Sequence, residues 1–178
     1  MEREQAQKPG AINLLFSTGR CVELRCPELA LSVFSNRPAY RMDLTLVATR
    51  QLLHALHEEH KLSSIFILAA LFPVYNLPAL SDPICCALVV SACLREANGS
   101  GPESTRTIAE TFLSQFKQLL SQTPPMPVPV EANRFLGTRW MKDAMLSILD
   151  SLVVQRHEAG WIRDWCYQSN YNLSSIVG

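Results

Sequence analysis

The sequence has few of the parts from which catalytic and phosphate-binding sites are built. Its seven glycines are scattered, so none of the Gly-rich loops that cradle phosphates can form. A G-x-S-x-G elbow and an acid pair in a suggestive context are both missing, which leaves hydrolytic and transfer chemistry little to stand on. The six cysteines, at 21, 26, 85, 86, 93 and 166, form no C-x-x-C pair. Three of them lie inside one apolar run, and unpaired, buried thiols of this kind fit a reducing interior compartment better than secretion. Neither charge is in excess: 16 Lys and Arg balance 16 Asp and Glu. A protein that holds nucleic acid mainly through its phosphates usually carries net positive charge or a basic stripe. The longest apolar stretch, Ser63 to Leu80, is interrupted by Pro73, Asn76 and Pro78. It falls short of the roughly 20 residues a membrane span needs. The opening MEREQAQKPG is polar and mixed in charge, unlike a signal peptide or an Arg-rich transit peptide.

What is present is apolar and helical. Hydrophobic residues make up 48% of the 178 and charged residues 18%, a balance that suits one globular domain with a substantial core. The chain is organised around Asp43 to Ala97. Asp43 is expected to cap LTLVATRQLLHALHEEH, with Leu46, Leu52, Leu53 and Leu56 facing in and Arg50, Glu58 and Glu59 facing out. SSIFILAALF follows, capped by Ser63 or Ser64, with Ile65, Leu68, Ala69 and Phe72 as its stripe. Asp82 and Pro83 then open PICCALVVSACLREA, which stops at Asn98-Gly99. This helix is apolar on all sides and belongs in the middle of a stack.

Shorter helices are expected on either side, at Ala11–Arg20 and from Pro27, where Leu29, Val33 and Phe34 share a face. Glu103–Ser121 places Ile108, Phe112, Phe116 and Leu119 together, and Arg134–Gln155 does the same for Phe135, Met141, Met145, Ile148 and Leu152. A final short helix surrounds Trp161 and Trp165, which are expected to pack on the Arg134 helix. Between these lies TPPMPVPVEA, whose four prolines in six residues favour an extended strap, a stiff spacer or a recognition motif. The expected organisation is a helical body over 1–122, a proline-rich strap over 123–132, and a C-terminal helical cap with a polar tail over 133–178. The fold class is all-α, an α-α superhelix of stacked helix pairs.

Two groups invite a chemical reading. His54, His57 and His60 recur every third residue, but the spacing is not H-E-x-x-H, and polar decoration of a helix end accounts for them. Cys86 and Cys93 share a helical face with no histidine or cysteine pair to complete a zinc site, so they read as small core residues. Basic residues gather at Arg20 and Arg25, at Arg37 and Arg41, and at Arg134, Arg139 and Lys142. Arg37, Tyr40 and Arg41 fall at a turn where a nucleic-acid backbone could lie beside an aromatic ring; a solvated turn is the plainer account.

The chain also repeats itself. ALSVFSNRPAY followed by LLHAL matches, in order, LAALFPVYNLP followed by VVSAC. Tyr40 and Tyr75 are 35 residues apart and Leu52 and Val89 are 37 apart, the extra two residues falling in the loop of Leu80 and Ser81. Over about Cys21 to Leu120 the pattern resembles a degenerate pentatricopeptide repeat, a helix ending in A-L-x-x-F, a short turn, and an acidic step into the next helix. The tetratricopeptide tryptophan and Gly-Tyr pattern is missing. The resemblance implies a right-handed groove of stacked pairs that binds single-stranded RNA, mostly in mitochondria and chloroplasts. It also implies a base-reading position, which falls here at Ala87 and, one unit earlier, at Arg50. Alanine cannot hydrogen-bond a base edge.

The expected function is therefore a non-enzymatic helical-repeat scaffold, RNA-associated in mitochondrial gene expression or translation. Protein partners in a larger assembly are expected, with weak RNA contact that reads no bases, through Arg37, Tyr40, Arg41 and Arg50. No metal and no cofactor are expected. The alternatives are a cytosolic protein-interaction adaptor and, more remotely, a metal-dependent enzyme using the three histidines.

Overall fold

The computed structural model describes residues 21, 25–99, 102–124, 136–154, 158–169 and 171. The expected Ala11–Arg20 helix, most of the proline strap, and Phe135 lie outside them. Among the described residues every regular element is helical. The elements are α1 (Pro27–Ser35), α2 (Arg37–Tyr40), α3 (Leu46–Glu58), α4 (Leu62–Leu71), a 3-10 turn (Ala79–Ser81), α5 (Pro83–Asn98), α6 (Glu103–Gln122), α7 (Leu136–Val154) and α8 (Gly160–Gln168). Among the described residues no helix is long and apolar enough to cross a membrane.

The core is built on α5. Ten consecutive residues, Cys85 to Leu94, are buried, because α3, α4, α6, α7 and the 3-10 turn all pack against this one helix. Its start is the one the residue types foretell. The Asp82 carboxylate accepts the Cys85 backbone N–H at 3.0 Å, and Pro83 occupies the first turn, where its missing N–H costs nothing. The helix ends at Asn98 with Gly99 following. Against α7 the approach is close: a Cβ on Gly137 would stand 3.1 Å from Ile84 Cδ1, so the absent side chain gives Ile84 its place.

Two backbone courses in the first half coincide. Arg25 and His60 both take positive φ, as do Arg41 and Asn76, and each pair is 35 residues apart. The Cys26 N–H bonds to the Cys21 carbonyl, and the Lys61 N–H to the Leu56 carbonyl, at the same offset. So do Tyr40 N–H to Asn36 and Tyr75 N–H to Leu71. The 3-10 turn takes up two extra residues, after which Leu52 and Val89, Leu53 and Val90, and Leu56 and Cys93 correspond at an offset of 37, every one fully buried. The packing follows the same order. α1 lies on α3 and α4, α3 on α4 and α5, and α5 on α6 and α7.

Several expectations need correction. Asp43 does not cap α3. The helix begins three residues later, where the Thr45 hydroxyl accepts the Ala48 N–H at 3.2 Å, and Asp43 instead pairs with Arg37. Neither Ser63 nor Ser64 caps α4, which starts after Lys61 without a side-chain cap; Ser64 donates to Glu28 instead. Leu29 and Ile108 are exposed although their spacing matches that of buried neighbours. Trp161 packs its ring edge-to-face on Phe116 of α6, and Trp165 stacks on Tyr171.

Candidate binding surface

The four residues singled out for RNA or partner contact occupy different settings. Arg37, at the start of α2, is tied to the next turn of the chain. Its guanidinium donates to the Val74 carbonyl at 3.2 Å and to Asp43 at 3.0 Å, and its centre lies 4.8 Å from the middle of the Tyr75 ring. Tyr75 in turn donates its hydroxyl to the Phe34 carbonyl at 2.7 Å and meets the Phe34 ring edge-on. Arg37 is thus part of a knot joining the α1–α2 corner to the turn after α4.

Arg50 is not the outward-facing residue its place in the sequence suggests. Its Nε donates to Asp82 at 3.1 Å, and its Nη2 makes a second, close contact with the other carboxylate oxygen. Asp82 is buried, which alone would raise its pKa. The bonds from Arg50 and from the Cys85 backbone outweigh that and hold the carboxyl below its usual range. The pair bolts α3 to the first turn of α5, and Ala87, one turn on, is fully buried.

Tyr40 and Arg41 remain outside. Both are exposed, Arg41 closes α2 in the left-handed conformation, and neither side chain has a hydrogen bond or ion pair among the described residues. The structure therefore brings Arg37, Tyr40 and Arg41 together at one corner and places Arg50 in a separate, internally satisfied pair.

The three histidines diverge. His60 is exposed in a left-handed turn, and His54 stacks on Trp140 of α7 with ring centres 5.0 Å apart. His57 is buried, its Nε2 is 2.8 Å from Ser91 Oγ of α5, and Ser91 Oγ is 2.8 Å from Ser147 Oγ of α7. Arg95 donates to the His57 carbonyl at 2.8 Å. Burial, with Arg95 nearby, pushes the His57 pKa down to about 4, so the ring is neutral at pH 7. Among the described residues no group of three His, Cys, Asp or Glu is placed to hold a metal. A polar chain crosses three helices here, and sequence reasoning missed it. The one available hint was Ser91, a lone hydroxyl inside the run ICCALVVSAC.

No family model matches the chain, and no curated protein or solved structure matches it either.

Proposed function

We propose that the protein is a non-enzymatic helical-repeat scaffold of the pentatricopeptide-like kind, an α-α superhelix that works by binding protein partners within a larger assembly. The observation that carries this reading is the internal engagement of the cations an RNA groove would use. Arg37 and Arg50 are each spent on a carboxylate of the same chain, and the base-reading position Ala87 is closed off in the core. A guanidinium held on a buried carboxylate, as Arg50 is on Asp82, displaces few counterions from a nucleic acid, and Arg37 is further tied to the Val74 carbonyl. The recurrence of α1 to α4 and of α3 to α5, with α1 packed on α3 and α4, α3 on α4 and α5, and α5 on α6 and α7, supports the stacked-pair reading. The resemblance to pentatricopeptide repeats directs the assembly toward mitochondrial gene expression.

A second reading has one observation in its favour. Arg41 and Tyr40 offer an exposed cation beside an exposed aromatic ring, neither paired among the described residues, which suits sequence-tolerant contact with an RNA backbone. Titrating the purified chain with single-stranded RNAs of several sequences over a salt series separates the two. A scaffold for proteins shows at most weak binding that Arg41→Gln leaves unchanged, whereas binding without base preference that falls steeply with salt and is lost uniformly in Arg41→Gln favours the second reading. Tight, sequence-selective binding at physiological salt would overturn the reading.

A further inference from the structure

The coincidence of the two backbone courses shows what the side chains of α1 and α2 would touch in a unit stacked on them as α1 is stacked on α4. In the second unit, two side chains reach back to α1. Ser64 donates to Glu28 at 3.2 Å, and Tyr75 donates to the backbone carbonyl of Phe34, in the last turn of α1, at 2.7 Å. At the offset of 35, the counterparts of Ser64 and Tyr75 are Leu29 and Tyr40. Leu29 is 50% exposed and Tyr40 46% exposed. The Tyr40 hydroxyl has no hydrogen-bond partner among the described residues, although its turn is built like that of Tyr75, with Arg41 and Asn76 left-handed in the next position. These two residues thus occupy stacking positions that are left half-exposed among the described residues.

We propose that the outer face of α1 and α2, marked by Leu29, Tyr40 and Arg41, is a docking surface for an amphipathic helix of a partner protein, seated there as α1 is seated on α4. This proposal deepens the scaffold reading and rests on it. The chemistry of the face describes the occupant. Leu29, where the second unit has a serine bonding a carboxylate, asks for an apolar side chain. Tyr40 offers a hydroxyl to a backbone carbonyl, as Tyr75 does to Phe34, and the last turn of any helix presents four such carbonyls without intrahelical partners. Arg41, exposed beside Tyr40 and without an ion pair among the described residues, favours the same end of a helix, because its dipole places partial negative charge there. One apolar contact, one hydroxyl and one cation fit a helix terminus better than a run of phosphates, which calls for several cations.

The test places the photo-crosslinking residue p-benzoylphenylalanine at Tyr40 of the full chain, with the same residue at exposed Val47 of α3 as control. After irradiation in extract of the native source, the crosslinked peptide is mapped by mass spectrometry. The expected result is an adduct from Tyr40, and not from Val47, to the final turn of a helix in another protein. Adding Leu29→Asp should lower its yield about tenfold or more, the equivalent of 1.4 kcal/mol, with an unchanged melting temperature because Leu29 is exposed. An adduct to RNA, to a second copy, or to residues 1–24 of the same chain overturns the proposal. So does the absence of an adduct, or one indifferent to Leu29→Asp. Gel filtration of the same extract keeps the two readings apart. A chain that migrates alone removes the scaffold reading with the docking surface, whereas a chain that migrates in a large complex while Tyr40 stays silent removes the docking surface only.

Discussion

Helices α5 and α6 follow one another in sequence and pack side by side, yet they relate to solvent in opposite ways. In α5, ten residues in a row are buried, including Ser91 and three cysteines. In the longer α6, only Thr105, Ala109, Phe116 and Leu120 are buried, spaced four, seven and four apart along one stripe. The difference follows from neighbours rather than from propensity. α5 is enclosed by helices from both halves of the chain, whereas α6 gives one side to α5 and α8 and the rest to water. An enclosed helix must satisfy every polar group internally, and the Asp82–Arg50 pair and the His57–Ser91–Ser147 chain do this at its start and middle. A helix with one wet side has no such requirement.

Substitutions can break this contrast. The largest effect belongs to Val89→Asp. A carboxylate there has neither water nor a partner, and its cost of several kcal/mol approaches the total stability of a domain this size. The variant should be unfolded or insoluble, and a cooperative melt near that of the wild type would mean that the core is not centred on α5. Asp82→Ala comes next. It removes a helix cap worth about 1 kcal/mol and strips Arg50 of its partner, for a combined loss of about 2–3 kcal/mol by chemical denaturation. Arg50→Gln should cost less, about 1 kcal/mol, because the Asp82 carboxylate keeps the Cys85 N–H and the arginine is partly in water.

The pH response sharpens the contrast further. His57 has a folded pKa of about 4 against 6.5 unfolded, so between these values the unfolded chain holds a proton that the folded chain refuses. Stability should therefore fall as pH drops from 6.5 toward 4, by up to about 3 kcal/mol, and stay flat in this respect above 6.5. Urea melts across that range, with His57→Gln as the comparison, check it: the variant should lose most of the slope. The smallest effect is expected at Ile108→Lys. This residue of α6 is 39% exposed, and the change should stay within about 0.5 kcal/mol.

How much of this was legible in the residues depended on distance along the chain. The start of α5 could be read because Asp82 and Pro83 act within a single turn. The start of α3 could not, since Asp43 and Thr45 are both good caps two residues apart, and the Arg37–Asp43 pair takes one of them out of contention. The inward stripes of α3 and α7 followed helical spacing, with Leu52, Leu53, Leu56, Met141, Met145, Ile148 and Leu152 buried and Leu46, in the first turn of α3, half-buried. Leu29 and Ile108 show the limit of that method, because spacing gives a face but not whether anything covers it. Arg50 looked like a surface cation because its partner lies 32 residues on. His57 looked like decoration of a helix end because Ser91 is 34 away. Corner residues Arg37, Tyr40 and Arg41 were found together, since a turn is local; that Arg37 is bound depends on a second turn 35 residues downstream.

The thiols of α5 make the helix a recorder of its own opening. Burial pushes Cys86 and Cys93 up to about 12 and raises Cys85 as well, so at neutral pH these sulfurs stay protonated and lack the thiolate that alkylating reagents and oxidants attack. Reaction must then wait for the helix to separate from its neighbours, at which point the pKa relaxes and three sulfurs become reactive together. Cys26, half-buried near the α1 start, needs no such event. The ratio of the two labelling rates is a clock for core opening written into the native sequence, readable without a mutation or a dye.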